Sequence, residues 1–227
     1  MGFLIAIDGV DSSGKQTQTQ MLYDRLKADG RQTKLISFPA YDNPSSTLVK
    51  MYLEGKFGTN PGDVNAYVAS SLFALDRFAT YKTDWGKDYD DNTIILADRY
   101  VSSNMIHQAS KILDTAKKEE CLDWIYNYEY NICSLPKPDI TIFLDMPVFW
   151  AKRLMENRAN KIDGTKTLDI HERNTDYLQK SYDNAVFVAK KYNWETVKCA
   201  NDNGVRTQED IHNEIYDLVI KRLGEIE

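Results

Sequence analysis

Ile5-Ala-Ile-Asp-Gly-Val-Asp-Ser-Ser-Gly-Lys-Gln-Thr-Gln-Thr-Gln-Met21 is the stretch that decides how this chain folds. The apolar run 3–7 reads as a buried strand, and it breaks into Gly9-Val-Asp-Ser-Ser-Gly14-Lys15. A helical pattern follows, with large apolar residues at Met21, Leu22 and Leu26. Strand, glycine loop, lysine and helix, in that order, are the layout of a phosphate-binding P-loop. Gly9 and Gly14 let the backbone turn back on itself, so that its N–H groups point into the turn, backed by the positive end of the helix dipole. Lys15 adds a full charge beside the β- and γ-phosphates. The residues expected to bind ATP are Gly9, Ser12, Ser13, Gly14, Lys15, Gln16 and Thr17. Gln16 stands where a Ser or Thr usually follows the lysine, and the hydroxyl comes one place later, at Thr17. That hydroxyl normally helps hold Mg²⁺. The shift leaves the magnesium ligand open between Thr17, Gln16 and a water.

Outward from the loop, strand-like and helix-like patterns alternate. Apolar runs at 3–7, 34–38, 93–97, 140–144 and 196–199 read as strands. Helical patterns lie near 15–27, 45–54, 64–81, 101–113, 117–133, 148–158, 176–192 and 207–223. This alternation predicts an α/β fold: a parallel five-stranded sheet with helices on both faces, a three-layer P-loop sandwich. With no repeat or low-complexity linker, residues 1–227 read as a single domain. The segment 157–166 (N-R-A-N-K-I-D-G-T-K) is polar, basic and glycine-containing, and it joins two helices. It reads as a surface loop or, given the P-loop, as a lid over phosphates.

Composition narrows the class. The 227 residues carry a net charge of −6, and no run of Lys or Arg stands out, so no nucleic-acid surface is expected. Cys121, Cys133 and Cys199 have no metal-site spacing and read as reduced thiols in a cytoplasmic protein. No signal peptide is read at the start, and no apolar run reaches the roughly 18 residues of a membrane span.

Three further clusters point to a second phosphate ligand. The run Ile94-Ile-Leu-Ala-Asp98-Arg99-Tyr100 is a hydrophobic strand ending in Asp-Arg, and ligands of such sheets sit at carboxyl strand ends. Asp98 suits a magnesium-bound water and Arg99 suits a phosphate, although the two could also be a structural ion pair. In the helix over 64–81, Val64, Val68, Leu72, Leu75 and Ala79 form an apolar stripe. Phe73 and Arg77 share a face roughly opposite it, expected to lie away from the main core. They form either a second packing surface, such as a dimer interface, or a stacked base and a held phosphate. In the helix after Asp98, Ser103, Asn104, His107 and Gln108 lie off the apolar stripe Val101, Met105, Ala109 and Ile112. That polar set suits a base edge and its sugar, with no catalytic role for His107. Asp11 places a carboxylate among phosphates, for a sugar hydroxyl or a metal. Asp169 and Glu172, at i, i+3, share one helix face if helical.

Together these residues resemble the thymidylate kinase family, over nearly the whole chain. The marks are G-V-D-S-S-G-K, Phe38-Pro39-Ala40-Tyr41, Leu72-Phe-Ala-Leu-Asp-Arg77 and Asp98-Arg-Tyr-Val-Ser-Ser-Asn104. The resemblance implies a kinase that passes phosphate from ATP to dTMP with Mg²⁺, usually as a homodimer. It implies that Phe73 stacks on thymine, that Ser103 with Asn104 or Gln108 reads its edge, and that Arg77 and Arg99 hold the acceptor phosphate near Phe38 and Tyr41. His107 matches a usual Tyr or Phe that crowds the sugar 2′ carbon. Ser12 stands where one subclass has an arginine, so the missing cation falls to the lid, at Arg158, Lys161 or Lys166. Asp169 and Glu172 match an acidic pair near the acceptor. Because a phosphate oxygen is already an anion, Lys15, Arg99, Arg158 and Mg²⁺ suffice without a general base. Two alternatives stay open: a deoxynucleoside kinase, which would need a carboxylate base in the 38–43 stretch, and a noncatalytic nucleotide switch.

Overall fold

The computed structural model describes residues 2–155, 170–171 and 175–225. Five parallel strands form the central sheet: β1 (Phe3–Asp8), β2 (Thr33–Ser37), β3 (Ile94–Asp98), β4 (Ile140–Asp145) and β5 (Glu195–Lys198), in the order β2-β3-β1-β4-β5. Each strand departs from its expected bounds by only one or two residues. The central β1 is buried along its whole length, as its unbroken apolar run requires, and its register sets Ile7 against Asp98. The P-loop therefore leaves β1 beside the point where β3 ends in Asp98-Arg99.

Helices cover both faces. Helices α1 (Lys15–Ala28) and α9 (Gln208–Gly224) pack on one side, over a core that includes Ile5, Ile7, Leu22, Leu26, Ile142, Ile215 and Val219. On the other side, Leu4, Ala6, Ile95 and Ala97 meet Trp85, Tyr100, Val101 and Ile125. That layer holds α2 (Thr47–Leu53), α3 (Ala66–Thr80), α4 (Gly86–Asp90), α5 (Val101–His107) and α6 (Thr115–Tyr126). Helices α7 (Val148–Met155) and α8 (Thr175–Lys191) follow β4, and a two-residue-per-strand hairpin, β6 (Ala200–Asn201) with β7 (Gly204–Val205), precedes α9.

Several helices depart from their sequence patterns. The long pattern from 64 continues beyond α3 as a π turn, Tyr81–Trp85, into α4. The 117–133 pattern begins at Thr115 and ends in another π turn, Asn127–Ile132. Helix α5 stops at His107 and tightens into a 3₁₀ turn, Ala109–Lys111.

The orientation of α3 is a larger correction. Val68 and Leu75 of the supposed core stripe are 50% and 47% exposed, whereas Ala69, Ser70, Ala74 and Arg77 are buried. The Phe73–Arg77 face is thus the inward one. Small residues at 66, 69, 70 and 74 let α3 approach its neighbours closely, and Arg77 is admitted because Glu129 matches its charge. The stripe read from hydrophobicity is therefore split: Val64 and Leu72 pack on a core cluster, and Val68 and Leu75 face outward.

Candidate active site

The P-loop is built as its glycines require. Gly14 has φ +90° and caps α1, while a Cβ on Gly9 would meet the Leu144 carbonyl at 2.9 Å. Ser12 adopts φ +60° without being glycine. Lys15 is buried and folds back over the loop, donating to the Gly9 and Val10 carbonyls at 3.0 and 2.6 Å. Burial, with Arg99 acting in the same direction, pushes its pKa down to about 7 against the pull of Asp11, Asp8 and Asp98. Gln16 and Thr17, by contrast, are exposed at the start of α1.

Beside the loop opens a cavity of about 750 Å³. Its walls bring together Asp11, Gln16, Phe38, Tyr41, Phe73, Arg77, Asp98, Arg99, Ser103, Asn104, His107 and Gln108, residues drawn from five separate stretches of sequence. Arg99 is its hub. Its backbone takes φ +69°, and its N–H donates to the Ile7 carbonyl at 3.0 Å. Its guanidinium donates to Asp11, to His107 Nε2 at 3.2 Å and to Ser103 Oγ at 3.4 Å. Burial alone would raise the Asp11 carboxyl, but Arg99, then His107 and Lys15, outweigh it and hold the group well below the usual carboxylate range.

Asp8, with no assigned role in the sequence, organises this corner. It is fully buried, accepts from the Gly9 N–H at 2.8 Å, and takes the hydroxyls of Ser102 and Ser103 at 2.7 and 2.8 Å. Loop and α5 are thereby tied through one carboxylate. Its signal was available: an acid ending an otherwise apolar central strand. Asp76 plays a similar part. It accepts from the Ala40 N–H at 2.9 Å and from Ser45, tying the Phe38-Pro39-Ala40-Tyr41 loop to α3.

Deeper in the cavity, Arg77 is not a second free cation. It forms a bidentate pair with Glu129, Nε to Oε2 at 2.6 Å and Nη2 to Oε1 at 2.8 Å, with both side chains about 1% exposed. The expectation that Arg77 joins Arg99 on a phosphate fits poorly with a charge already matched inside the protein. Asn104 donates to the same carboxylate at 2.7 Å and to the Ser70 carbonyl at 3.0 Å. Phe73 meets Tyr52 edge-on at 6.0 Å. His107 stacks on His171 at 6.1 Å, and Tyr52 joins His171 Nε2 at 2.9 Å. Burial drives the His107 pKa down to about 4 and that of His171 well below its usual value, so both rings are neutral near pH 7. His171, too, carried no sequence signal. Arg158, Lys161 and Lys166 of the expected lid, and the acids Asp169 and Glu172, lie outside the described residues.

A model of the thymidylate kinase family matches residues 7–214. The chain belongs to the thymidylate kinase family. It is 31% identical to the thymidylate kinase of Mycobacterium tuberculosis over 181 residues, covering 78% of this chain and 81% of that one. The Danio rerio thymidylate kinase is 26% identical over 96% of this chain and 89% of its own length. In three dimensions, a thymidylate kinase structure from Candida albicans superposes with a TM-score of 0.69 at 20% identity, over 97% of this chain and 92% of that one, a likeness of fold. No helix among the described residues is long and apolar enough to cross a membrane.

Proposed function

We propose that the cavity holds dTMP and the P-loop holds the triphosphate of ATP, with Arg99 placed between them. As a thymidylate kinase, the chain moves the γ-phosphoryl of ATP to dTMP, giving dTDP and ADP. The observation that carries the site assignment is the position of Arg99, which touches the loop through Asp11 and the cavity wall through Ser103 and His107. A cation there can bridge donor and acceptor phosphates. An acceptor phosphate oxygen attacks the γ-phosphorus, the bond to the β–γ bridging oxygen breaks, and the electron pair leaves with ADP. The nucleophile is already anionic, so positioning and charge neutralisation supply the catalysis. Lys15 and Arg99 contribute from the described residues, and Arg158 of the lid is our candidate for a further cation.

The described residues contain no cluster of three or more His, Cys, Asp or Glu able to cage a metal. Mg²⁺ binds through one or two carboxylates, waters and substrate phosphates. Among the described residues, Asp98 and Asp11, both at the cavity wall, and Thr17 at the start of α1 are our candidates to hold the ion, with Asp11 also paired to Arg99. When bound, Mg²⁺ offsets charge on the phosphate oxygens.

Phe73 offers its ring to the thymine, and Asn104 and Gln108 its edge. His107 lies where bulk would crowd the sugar 2′ carbon. Phe73→Ala should raise the KM for dTMP about tenfold and leave that for ATP nearly unchanged, since base stacking is worth roughly 1–3 kcal/mol. A lowered Tm with an unchanged dTMP KM would make Phe73 a packing residue instead. With ATP and Mg²⁺, a panel of dTMP, dUMP, dCMP, UMP and thymidine tests the whole reading. Faster turnover of thymidine than of dTMP would overturn it in favour of a nucleoside kinase.

The outward face of α3 is our candidate for the homodimer interface. Val68 and Leu75 are joined by Leu48 and Met51 of the adjoining α2, all exposed. Exposed apolar side chains so grouped mark association surfaces. Val68→Glu combined with Leu75→Glu should convert a dimer to a monomer by light scattering. A monomeric wild-type protein would refute the assignment. The three buried, unpaired cysteines suit the reducing cytoplasm, where we place the enzyme.

A further inference from the structure

The Arg77–Glu129–Asn104 cluster brings α3, α5 and the π turn Asn127–Ile132 to one point in the cavity wall. Glu129 continues the buried stripe of α6: Leu122, Ile125 and then a carboxylate where an apolar residue belongs. A buried acid at a core position is costly to keep unless its partners are fixed. Here it accepts three hydrogen bonds, two from Arg77 and one from Asn104.

We propose that Glu129 is a positioning residue that sets the hydrogen-bond polarity of the acceptor-base pocket and thereby the choice of base. It does so through its two partners. An Asn amide nitrogen carries two protons. Those of Asn104 go to the Ser70 carbonyl and to Glu129 Oε1. The flipped amide would set Oδ1 against a carbonyl oxygen and a carboxylate, two acceptors facing an acceptor. Asn104 is therefore locked with only its carbonyl oxygen left for a ligand. Arg77 has five N–H groups, and two are taken by Glu129. The others remain donors, on a guanidinium whose charge is matched. Such a group suits a neutral carbonyl better than a phosphate.

One acceptor beside donors recognises a base edge that carries an N–H next to a C=O. A 4-oxopyrimidine has that edge. A 4-aminopyrimidine presents the reverse at both atoms: a ring nitrogen without a proton, and an amine. Glu129 itself is sealed from the cavity, so its effect on the ligand passes entirely through Arg77 and Asn104.

The proposal rests on the placement of the base against Asn104, and the experiment separates the two. The ratio of kcat/KM for dTMP over dCMP is measured for wild type, Glu129→Gln, Glu129→Asp and Asn104→Ala, alongside the KM for ATP. Gln at 129 can turn its amide either way, so it no longer dictates the orientation of Asn104. Asp keeps the charge but is one methylene too short to span both partners. Both should lower the ratio about 10-fold or more, mainly through the dTMP KM, with the ATP KM unchanged. Asn104→Ala should lower it as well. If Asn104→Ala lowers the ratio while both folded Glu129 variants keep it, Glu129 does not position the pocket and the proposal falls. If Asn104→Ala also keeps it, the base placement has failed and the proposal with it. Loss of cooperative melting in both Glu129 variants would assign the residue to stability alone, which equally overturns it.

Discussion

Replacing Lys15 by alanine is expected to lower kcat for dTMP phosphorylation on the order of 10²-fold or more, with the fold intact. The lysine is held inside the loop by the Gly9 and Val10 carbonyls, so its charge acts in a site largely shut off from water. There it meets the charge that develops on the transferring phosphoryl group and pays little reorganisation at that moment. Its pH behaviour gives a second test. Burial and Arg99 bring the pKa to about 7, so in the free protein Lys15 is charged below that pH and neutral above it. Phosphates favour the charged form. Loss of the Lys15 charge should therefore make ATP affinity fall above pH 7, by at most about tenfold per pH unit. Calorimetry at pH 8 in two buffers of different ionisation enthalpy should show proton uptake on ATP binding, absent from Lys15→Ala. Near-normal turnover by the folded variant would show that the loop does not hold the triphosphate.

The sheet was legible chiefly because β1 and β3 are continuous apolar runs, each ending in a charged residue. The P-loop was legible because few sequences place a strand, two spaced glycines and a lysine before a helix. Asp98-Arg99 followed from similar logic, as a charged pair at the carboxyl end of an apolar strand. Residues that act through distant partners were less visible. Arg77 and Glu129 are 52 positions apart, and nothing local says that one neutralises the other. The inward face of α3 was missed because much of it is alanine and serine around a buried arginine, whereas Val68 and Leu75 face outward. His171 reaches the cavity from the far side of the segment expected to be a lid, so only the tertiary fold brings it to His107. The hairpin before α9 has strands too short for any periodicity to register.

Arg99→Met should cost more than any other single change in the cavity, on the order of 10³-fold in kcat/KM for dTMP. A cation at the transferring phosphoryl group is worth that much elsewhere in phosphoryl transfer. Arg99→Lys should fall between, because it keeps the charge and loses the planar fork. The rival account is that Arg99 merely neutralises Asp11 and lies 3.8 Å from Asp8 for the same reason. Methionine would then harm the enzyme only by leaving the Asp11 carboxylate uncompensated next to incoming phosphates. The two accounts part in the double variant Arg99→Met with Asp11→Asn, which removes the stranded charge. If Arg99 serves only Asp11, activity returns. If Arg99 itself holds phosphate oxygens, as its place at the end of β3 between loop and cavity implies, the second substitution recovers little. The loss should then remain within about tenfold of that in Arg99→Met alone. Recovery to wild-type kcat/KM in the double variant would remove Arg99 from the catalytic set and leave Lys15 the sole described cation acting on the phosphates.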